Sequence, residues 1–232
     1  MWYGSLEPAS AAFAPRIIDR DLAVLFIGWA LGLVSSPITD AIRRHSAKIR
    51  LTRALRTELR STQDALAWVV VHLASRRGVL TRSLLDALLS TLLASGQVAG
   101  RAKAVKMIES LTELEERGHG PARDVSNDPR APLPLRVHGV PLLDAHFYRL
   151  DLYSLETQRM LVDLHAGVQN YNQLADEARN YHLLTFGADV SKERLDALAA
   201  NVETCYERAA ETASDLVSRV AMLLQSKEMK GK

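Results

Sequence analysis

The feature that most constrains this chain is an uncharged apolar run near its N-terminus. Residues 22–39 read LAVLFIGWALGLVSSPIT and lie between Asp21 and Asp40. A helix needs about 20 mostly apolar residues to cross a bilayer core of about 30 Å. The run has no polar face, whereas a helix at the surface of a soluble bundle would show one. The sequence therefore predicts a single transmembrane helix at 21–42.

Two other interpretations of the run remain open. It can be a buried core helix, although the missing polar face argues against this. It can also be a cleaved signal peptide, although the apolar region begins late and no clear small-x-small cleavage site follows it. The run is short for a membrane helix, and Pro37 is expected to kink or break it. A short anchor of this kind favours packing against another membrane helix.

The distribution of charge predicts the orientation of this helix. Residues 43–60 contain seven Lys or Arg side chains and one Glu, whereas the part of the chain up to Asp21 contains two Arg and three acidic residues. Lys and Arg prefer the cytoplasmic side of a membrane. We therefore expect a single-pass protein of the cell inner membrane with its N-terminus outside and its C-terminal part in the cytoplasm.

A basic flank follows the apolar run and is the first candidate site. It consists of Arg43, Arg44, Lys48, Arg50 and Arg53. We expect these residues to set the topology and to attract anionic lipid headgroups. A contact with a partner protein is an alternative, and nucleic-acid binding is not expected because the residues follow a membrane exit.

A second candidate site lies within the apolar run, where Gly28 and Gly32 form a Gly-x-x-x-Gly pair. Small residues spaced in this way let two membrane helices approach closely. The pair indicates self-association of the membrane segment, although glycine is common in such helices.

Helical periodicity dominates the rest of the chain. A basic amphipathic helix is expected up to Arg76 and Gly78, followed by a Leu-rich helix that Thr81 caps. Glycine and proline are dense in 118–143, which predicts a linker or a functional loop with an extended, strand-like piece at 133–143.

Two long helices are expected after this linker, from Ser154 to 184 and from Ser191 to about 223, and they form an antiparallel hairpin. Their heptad-like spacing favours coiled-coil-like packing at a shallow angle. The tail 227–232 is expected to fray. The predicted core positions are Leu161, Leu164, Val168, Tyr171, Ala175 and Ala178 on the first helix, and Leu195, Leu198, Val202, Cys205, Ala209, Thr212 and Leu216 on the second.

These patterns predict an all-α protein in which one N-terminal transmembrane helix precedes a cytoplasmic bundle of long, partly coiled-coil-like helices. The expected divisions are a short extracytoplasmic tail at 1–20, the membrane helix at 21–42, basic and then Leu-rich helices at 43–117, the Pro/Gly-rich segment at 118–143, and the hairpin at 144–232.

The chain lacks the motifs of the common catalytic and cofactor sites. It contains one cysteine, Cys205, which excludes an intramolecular disulfide and a Cys-based zinc site. No His-Glu-x-x-His, phosphate-binding loop or Gly-x-Ser-x-Gly occurs. We therefore expect no catalytic, cofactor-binding or metal-binding residues and no enzymatic activity.

Three functions are compatible with this pattern. The first is a membrane-anchored interaction, signalling or scaffold protein that binds a protein partner or itself. The second is a membrane-tethered sensor of a ligand or a metal, with or without enzymatic activity, that uses the His- and Tyr-bearing face of 144–182. The third is a homo-oligomeric membrane assembly. The lipid bilayer is a partner in all three.

Overall fold

A computed structural model describes residues 14–94, 135–136, 138–186 and 191–230, together with positions 106, 108, 110, 111 and 113, and their side chains from residue 22 onward. Every regular element in these ranges is helical, which confirms the all-α prediction. Residues 1–13 of the N-terminal tail and most of the Pro/Gly-rich segment lie outside the described residues.

The helices follow one another along the chain with short connections where these are described. They are α1 (Ala14–Arg76), α2 (Arg82–Ala94), α3 (Pro141–Ala145), a 3-10 helix (Phe147–Leu152), α4 (Leu155–Leu184), α5 (Lys192–Gln225) and α6 (Lys227–Lys230). The chain separates into two compact units, an N-terminal unit of residues 1–48 and a C-terminal unit of residues 49–232. The five divisions expected from the sequence stay predictions.

The described part of the N-terminal unit is the first portion of α1. This helix continues through Pro37, so the break expected there is absent. A proline removes one backbone hydrogen bond from a helix. The other hydrogen bonds of a helix of 63 residues hold it together on both sides of that position.

The C-terminal unit is a helical bundle, and the remainder of α1 contributes one of its core faces. Leu51, Leu55, Leu59, Leu66 and Leu73 are all buried, as their spacing predicts, whereas Val69 of the same predicted face is half-buried. Burial of apolar surface contributes about 25 cal/mol per Å², so this leucine face is a main source of the bundle's stability.

The end of α1 follows the predicted stop signals. Gly78 has a φ of +65°, and the N–H groups of Gly78 and Val79 donate to the carbonyls of Ser75 and Ala74. These are the two bonds of a Schellman motif, which satisfies the last carbonyls of a helix. Thr81 then caps α2, since its Oγ1 accepts from the N–H of Leu84 at 3.3 Å.

The helices α4 and α5 form the predicted antiparallel hairpin. The start of α4 meets the chain after α5, where Ser154 donates to Glu228, and Gly167 lies beside Leu216 further along. All the core positions predicted on α4 are buried. The two helices begin where expected, and Ser154 and Ser191 cap them, each accepting a backbone N–H three residues on.

Two of the core positions predicted on α5 are wrong. Leu195 is 36% exposed, and Thr212 is half-buried while its neighbour Ala213 is fully buried. An α-helix repeats every 3.6 residues, so a strict heptad pattern drifts away from the buried face along a long helix. The buried stripe therefore passes from Ala209 to Ala213 by a step of four residues.

Buried polar contacts join α1 to the rest of the C-terminal unit. Gln63 is fully buried, and its Nε2 donates to the carbonyl of Val217 in the middle of α5 at 2.9 Å. The hydroxyls of Thr52 and Tyr153 lie 3.0 Å apart in a hydrogen bond that is also buried. Because a buried polar group without a partner is costly, these pairs favour one register of α1 in the bundle.

The end of α1 is also held to α5 by charge. Arg76 pairs with Glu203 at 2.9 Å and places its guanidinium 4.9 Å from the centre of the Tyr206 ring. Arg77 pairs with Glu207 at 2.8 Å. Exposed ion pairs contribute little individually, so the half-buried Arg76 is the stronger of the two contacts.

The strand-like piece expected at 133–143 is wrong for the described residues. Positions 135, 136 and 138–140 have no regular structure, and α3 begins at Pro141. The reason is a long-range contact: the carboxylate of Glu58 on α1 accepts the N–H groups of Leu142 and Leu143 at 2.7 and 3.1 Å. A carboxylate at this position stabilises the first turn of a helix.

The prediction that the C-terminal tail frays is likewise wrong up to Lys230. Residues 227–230 form α6, in which Met229 is fully buried and joins the core. Glu228 accepts hydrogen bonds from both the N–H and the hydroxyl of Ser154 at 2.9 Å. An apolar anchor and a paired carboxylate therefore hold the end of the chain against the start of α4.

Candidate functional site

The apolar segment 22–42 is the most unusual surface of the molecule. Its large apolar side chains are each more than half exposed: Leu22, Val24, Leu25, Phe26, Ile27, Trp29, Leu31, Leu33, Val34, Ile38 and Ile42. Successive residues of a helix point about 100° apart, so the consecutive residues 24–27 alone cover most of the circumference. Within the described residues, α1 is the one helix long and apolar enough to cross a membrane.

Two of the polar side chains within this segment bond to their own helix. The hydroxyl of Ser35 donates to the carbonyl of Gly32 at 2.9 Å, and that of Thr39 donates to the carbonyl of Ser35 at 2.8 Å. Hydroxyl groups bonded back to their own helix need no water. Ser35 and Thr39 are therefore compatible with an apolar environment, whereas the ionisable Asp40 lies near the C-terminal end of the segment.

Gly28 and Gly32 leave an open surface on this helix. A Cβ atom added to either residue would meet nothing within 4 Å. The two lie one turn apart, so they form a shallow notch on one face of the segment. The structure contains one copy of the chain, and a second helix in this notch is a prediction.

The basic flank remains largely exposed. Arg43 and Arg44 in the N-terminal unit and Arg50 and Arg53 in the C-terminal unit are exposed, and Lys48 is half-buried. Arg50 and Arg53 line an open groove of about 770 Å³, together with Ala54 of the same helix and Leu142 of α3. These guanidinium groups are accessible to an anionic partner.

The remaining charged residues of 43–60, from Arg56 to Arg60, lie closer to other parts of the protein. Arg56 donates to the carbonyl of Lys230 at 3.3 Å, and Glu58 binds α3. Burial and the nearby positive charge of Arg56 lower the pKa of Arg60, while the carboxylate of Asp64 opposes this shift. The charge count of the sequence therefore overstates the basic surface, because Arg56 bonds to the chain's C-terminal end and Arg60 is half-buried.

The histidines of the predicted sensor face are dispersed. His165 Nε2 lies 2.7 Å from Asp144 Oδ1, and the ring of His182 packs edge-on against Phe186. The described residues contain no group of three or more His, Cys, Asp or Glu side chains placed to hold a metal ion.

His138 and Tyr171 form a buried polar pair that the sequence does not reveal. Asn172 fixes the backbone of His138 from both sides, accepting its N–H at 2.8 Å and donating to its carbonyl at 2.7 Å. The rings of His138 and Tyr171 lie 5.5 Å apart. Within the described part of the chain, neither His138 Nε2 nor the Tyr171 hydroxyl has a hydrogen-bond partner.

The burial of this pair favours its uncharged forms. Burial and, second, the charge of Arg136 lower the pKa of His138, and burial raises the pKa of Tyr171 well above its usual range. An uncharged imidazole retains one donor and one acceptor nitrogen. No local pattern marks this pair, because 34 residues separate His138 from the Asn172 that positions it.

Cys205 is a core residue. It is 6% exposed, as its place in the helical pattern predicts. Burial and the nearby Glu177 raise the pKa of its thiol, which disfavours the reactive thiolate.

Comparison of the chain with protein-family models, with curated proteins and with solved structures found no match. The function therefore has to be argued from the chain's own surfaces.

The pair His138–Tyr171 predicts a pH dependence of stability. Folding lowers the pKa of His138, so the unfolded chain binds a proton at this imidazole more readily than the folded chain does. The contribution of the uncharged His138 to stability is therefore present above the ordinary histidine pKa of about 6.5. It is lost as pH falls through the lower pKa of the folded state. We expect the free energy of unfolding to fall less between about pH 7 and pH 5 in His138→Phe than in the wild type. Urea titrations of the protein in detergent micelles measure this.

The matched control is His182→Phe, which changes a half-buried histidine of α4. It should keep the pH dependence of the wild type. An unchanged slope in His138→Phe would show that this imidazole does not titrate as described.

Proposed function

We propose that this protein is a membrane-anchored helical interaction or scaffold protein without catalytic activity. The apolar segment 22–42 crosses the bilayer, and the bundle of the C-terminal unit binds a protein partner or a second copy of the chain. The observation that carries the proposal is the exposure of large apolar side chains on all sides of this segment.

The dimensions of the segment support an anchor. At 1.5 Å per residue, a continuous helix over the uncharged residues 22–39 measures about 27 Å, close to the bilayer core of about 30 Å. The continuity of α1 through Pro37 removes the shortening that the sequence alone suggested. A helix apolar on all faces in water would leave this surface exposed, and soluble monomers rarely carry contiguous apolar patches of such extent.

The charges beside the segment support an orientation with the C-terminal unit in the cytoplasm of a cell and the N-terminus outside its inner membrane. Arg43 and Arg44 immediately follow the apolar segment and are exposed. Basic residues next to a membrane helix favour the cytoplasmic side and attract anionic lipid, at about 1 kcal/mol per residue near the surface.

Exposed apolar side chains on the C-terminal unit support the binding of a partner. Leu183, Leu184 and Phe186 at the end of α4 are 59, 51 and 72% exposed. An apolar cluster of this kind is a common feature of protein interfaces. Nucleic acid is not part of the proposal, since the exposed basic residues lie next to the membrane segment.

Charged substitutions in the apolar segment test the anchor. A Lys at the centre of a membrane helix costs about 2.5–3.5 kcal/mol, so the double variant Ile27→Lys/Leu31→Lys should leave the membrane fraction. The wild type should resist extraction by alkaline carbonate and keep its N-terminal residues in an intact-mass measurement. The matched control Ile49→Lys changes an exposed isoleucine beyond the segment and should remain in the membrane.

Three outcomes would contradict the anchor. These are carbonate extraction of the wild type, retention of the double Lys variant in the membrane, and a mature protein that has lost residues 22–39. The last result would identify the segment as a signal sequence instead.

A homo-oligomeric membrane assembly is a second candidate function, which the notch at Gly28 and Gly32 favours. Its walls are open, so a second helix can approach the backbone closely, and dispersion contacts between such helices drive association in lipid. The partner of the anchor is then another copy of this chain.

Filling the notch tests this candidate. In Gly28→Leu/Gly32→Leu, the side chains hold the helices apart, so crosslinking in membranes should trap at least about tenfold less dimer, which corresponds to a loss of about 1.4 kcal/mol. The matched control is Ala23→Leu/Ala30→Leu, because these alanines lie on the opposite side of the helix at about 100° per residue.

The control pair should crosslink like the wild type. Equal amounts of dimer in the two double variants would exclude the glycine face as the contact.

A further inference from the structure

A cavity in the C-terminal unit lies between the C-terminal part of α1 and the segment that precedes α3. Its volume is about 450 Å³, within the range of about 300–1,000 Å³ that is typical of small-molecule sites. It is more enclosed than the open groove beside Arg50 and Arg53. Ala65, Trp68, Val69, Leu135, Arg136 and His138 form most of its walls.

One wall of the cavity is flat and aromatic. Trp68 is half-buried, and the imidazole of His72 stands 5.5 Å from its indole ring. His72 is itself held by its helix, since its Nδ1 lies 2.9 Å from the carbonyl of Trp68. Val69 and Leu135 are half-buried and pack against the core. A planar ring of a ligand fits such a surface, because aromatic rings stack in offset or tilted arrangements.

The opposite wall contains an unsatisfied polar group in a fixed position. The imidazole of His138 lines the cavity, and its Nε2 is buried without a hydrogen-bond partner among the described residues. The double hydrogen bond from Asn172 holds the backbone that carries this imidazole. Tyr171, whose ring lies beside that of His138, is fully buried. A buried polar group left unpaired is costly, so a ligand that reaches this nitrogen gains affinity from the hydrogen bond.

Arg136 gives the cavity its charge. Its side chain is exposed and belongs to the lining. A guanidinium at this position can bind a carboxylate through two parallel hydrogen bonds. An uncharged His138 does not compete for that carboxylate, and its Nε2 serves a hydroxyl or ring N–H group instead.

We propose that this cavity binds a small planar aromatic acid. The ring packs against Trp68, a hydroxyl or ring N–H bonds to His138 Nε2, and the carboxylate pairs with Arg136. This site is separate from the membrane anchor and does not depend on it, because all of its residues belong to the C-terminal unit.

The first test is the binding of indole-3-carboxylate and 4-hydroxybenzoate to the full chain in detergent micelles. Saturation-transfer NMR and calorimetry measure it, with empty micelles as the background. We expect saturable binding of at least one of the two acids. Neutral indole should bind at least about tenfold more weakly than its acid, since it lacks the pairing with Arg136.

Substitutions in the lining locate the binding. Ala65→Leu fills the cavity from α1 and should weaken binding at least about tenfold. Arg136→Gln should bring the acid to the affinity of neutral indole. His138→Phe should weaken binding about tenfold, and a thermal midpoint for each variant shows that it has folded.

The matched control is Ala54→Leu, the same substitution on the same helix in the open groove beside Arg50. It should bind both acids as the wild type does. If His138→Phe does not fold, Ala65→Leu and Arg136→Gln still decide the result.

The proposal is overturned if neither acid binds saturably above the micelle background. It is also overturned if Ala65→Leu binds as well as Ala54→Leu, or if acid and neutral indole bind equally to the wild type. A water molecule alone would then satisfy His138. None of these results bears on the membrane anchor, which carbonate extraction tests separately.

Discussion

An α-helix that is apolar around its whole circumference needs an apolar environment on every side. The segment 22–42 of α1 has this property, whereas the residues of α1 from Leu51 onward have one apolar face that the bundle covers. The same helix therefore contains two kinds of surface, and only the face from Leu51 onward is covered by other parts of the C-terminal unit. The proposed anchor follows from the segment whose apolar surface remains exposed.

The C-terminal unit depends on a few polar contacts as well as on its leucine-rich core. Gln63, Thr52 and Glu58 all project from α1, and each bonds to a different part of the fold: α5, Tyr153 at the end of the 3-10 helix, and α3. Apolar contacts tolerate sliding of one helix against another, whereas hydrogen bonds between buried groups do not. These three contacts therefore fix α1 within the bundle, and they also place the walls of the cavity beside Trp68.

Much of the helical framework could be predicted because its signals are local. The Schellman stop at Gly78, the caps Thr81, Ser154 and Ser191, and the buried faces of α4 and most of α5 each depend on residues a few positions apart. The apolar segment was equally clear, since composition over about 20 residues defines it.

The predictions failed where a distant residue decides the local structure. Glu58 starts α3 where an extended piece was expected, and Met229 holds α6 where fraying was expected. The cavity could not be predicted for the same reason, because Asn172 positions the His138 that faces Trp68. The charge count of residues 43–60 also overstated the basic surface, since it could not show that Arg56 bonds to the carbonyl of Lys230.

Trp29 offers the most direct test of the central claim, because it lies near the middle of the apolar segment. In a chain with Trp2→Phe and Trp68→Phe, Trp29 is the one remaining tryptophan. Its fluorescence in reconstituted bilayers should be quenched most strongly by lipids brominated deep in their acyl chains, and hardly at all by iodide in the water. Strong quenching by iodide, with no effect of the deeply brominated lipids, would contradict a membrane-spanning segment.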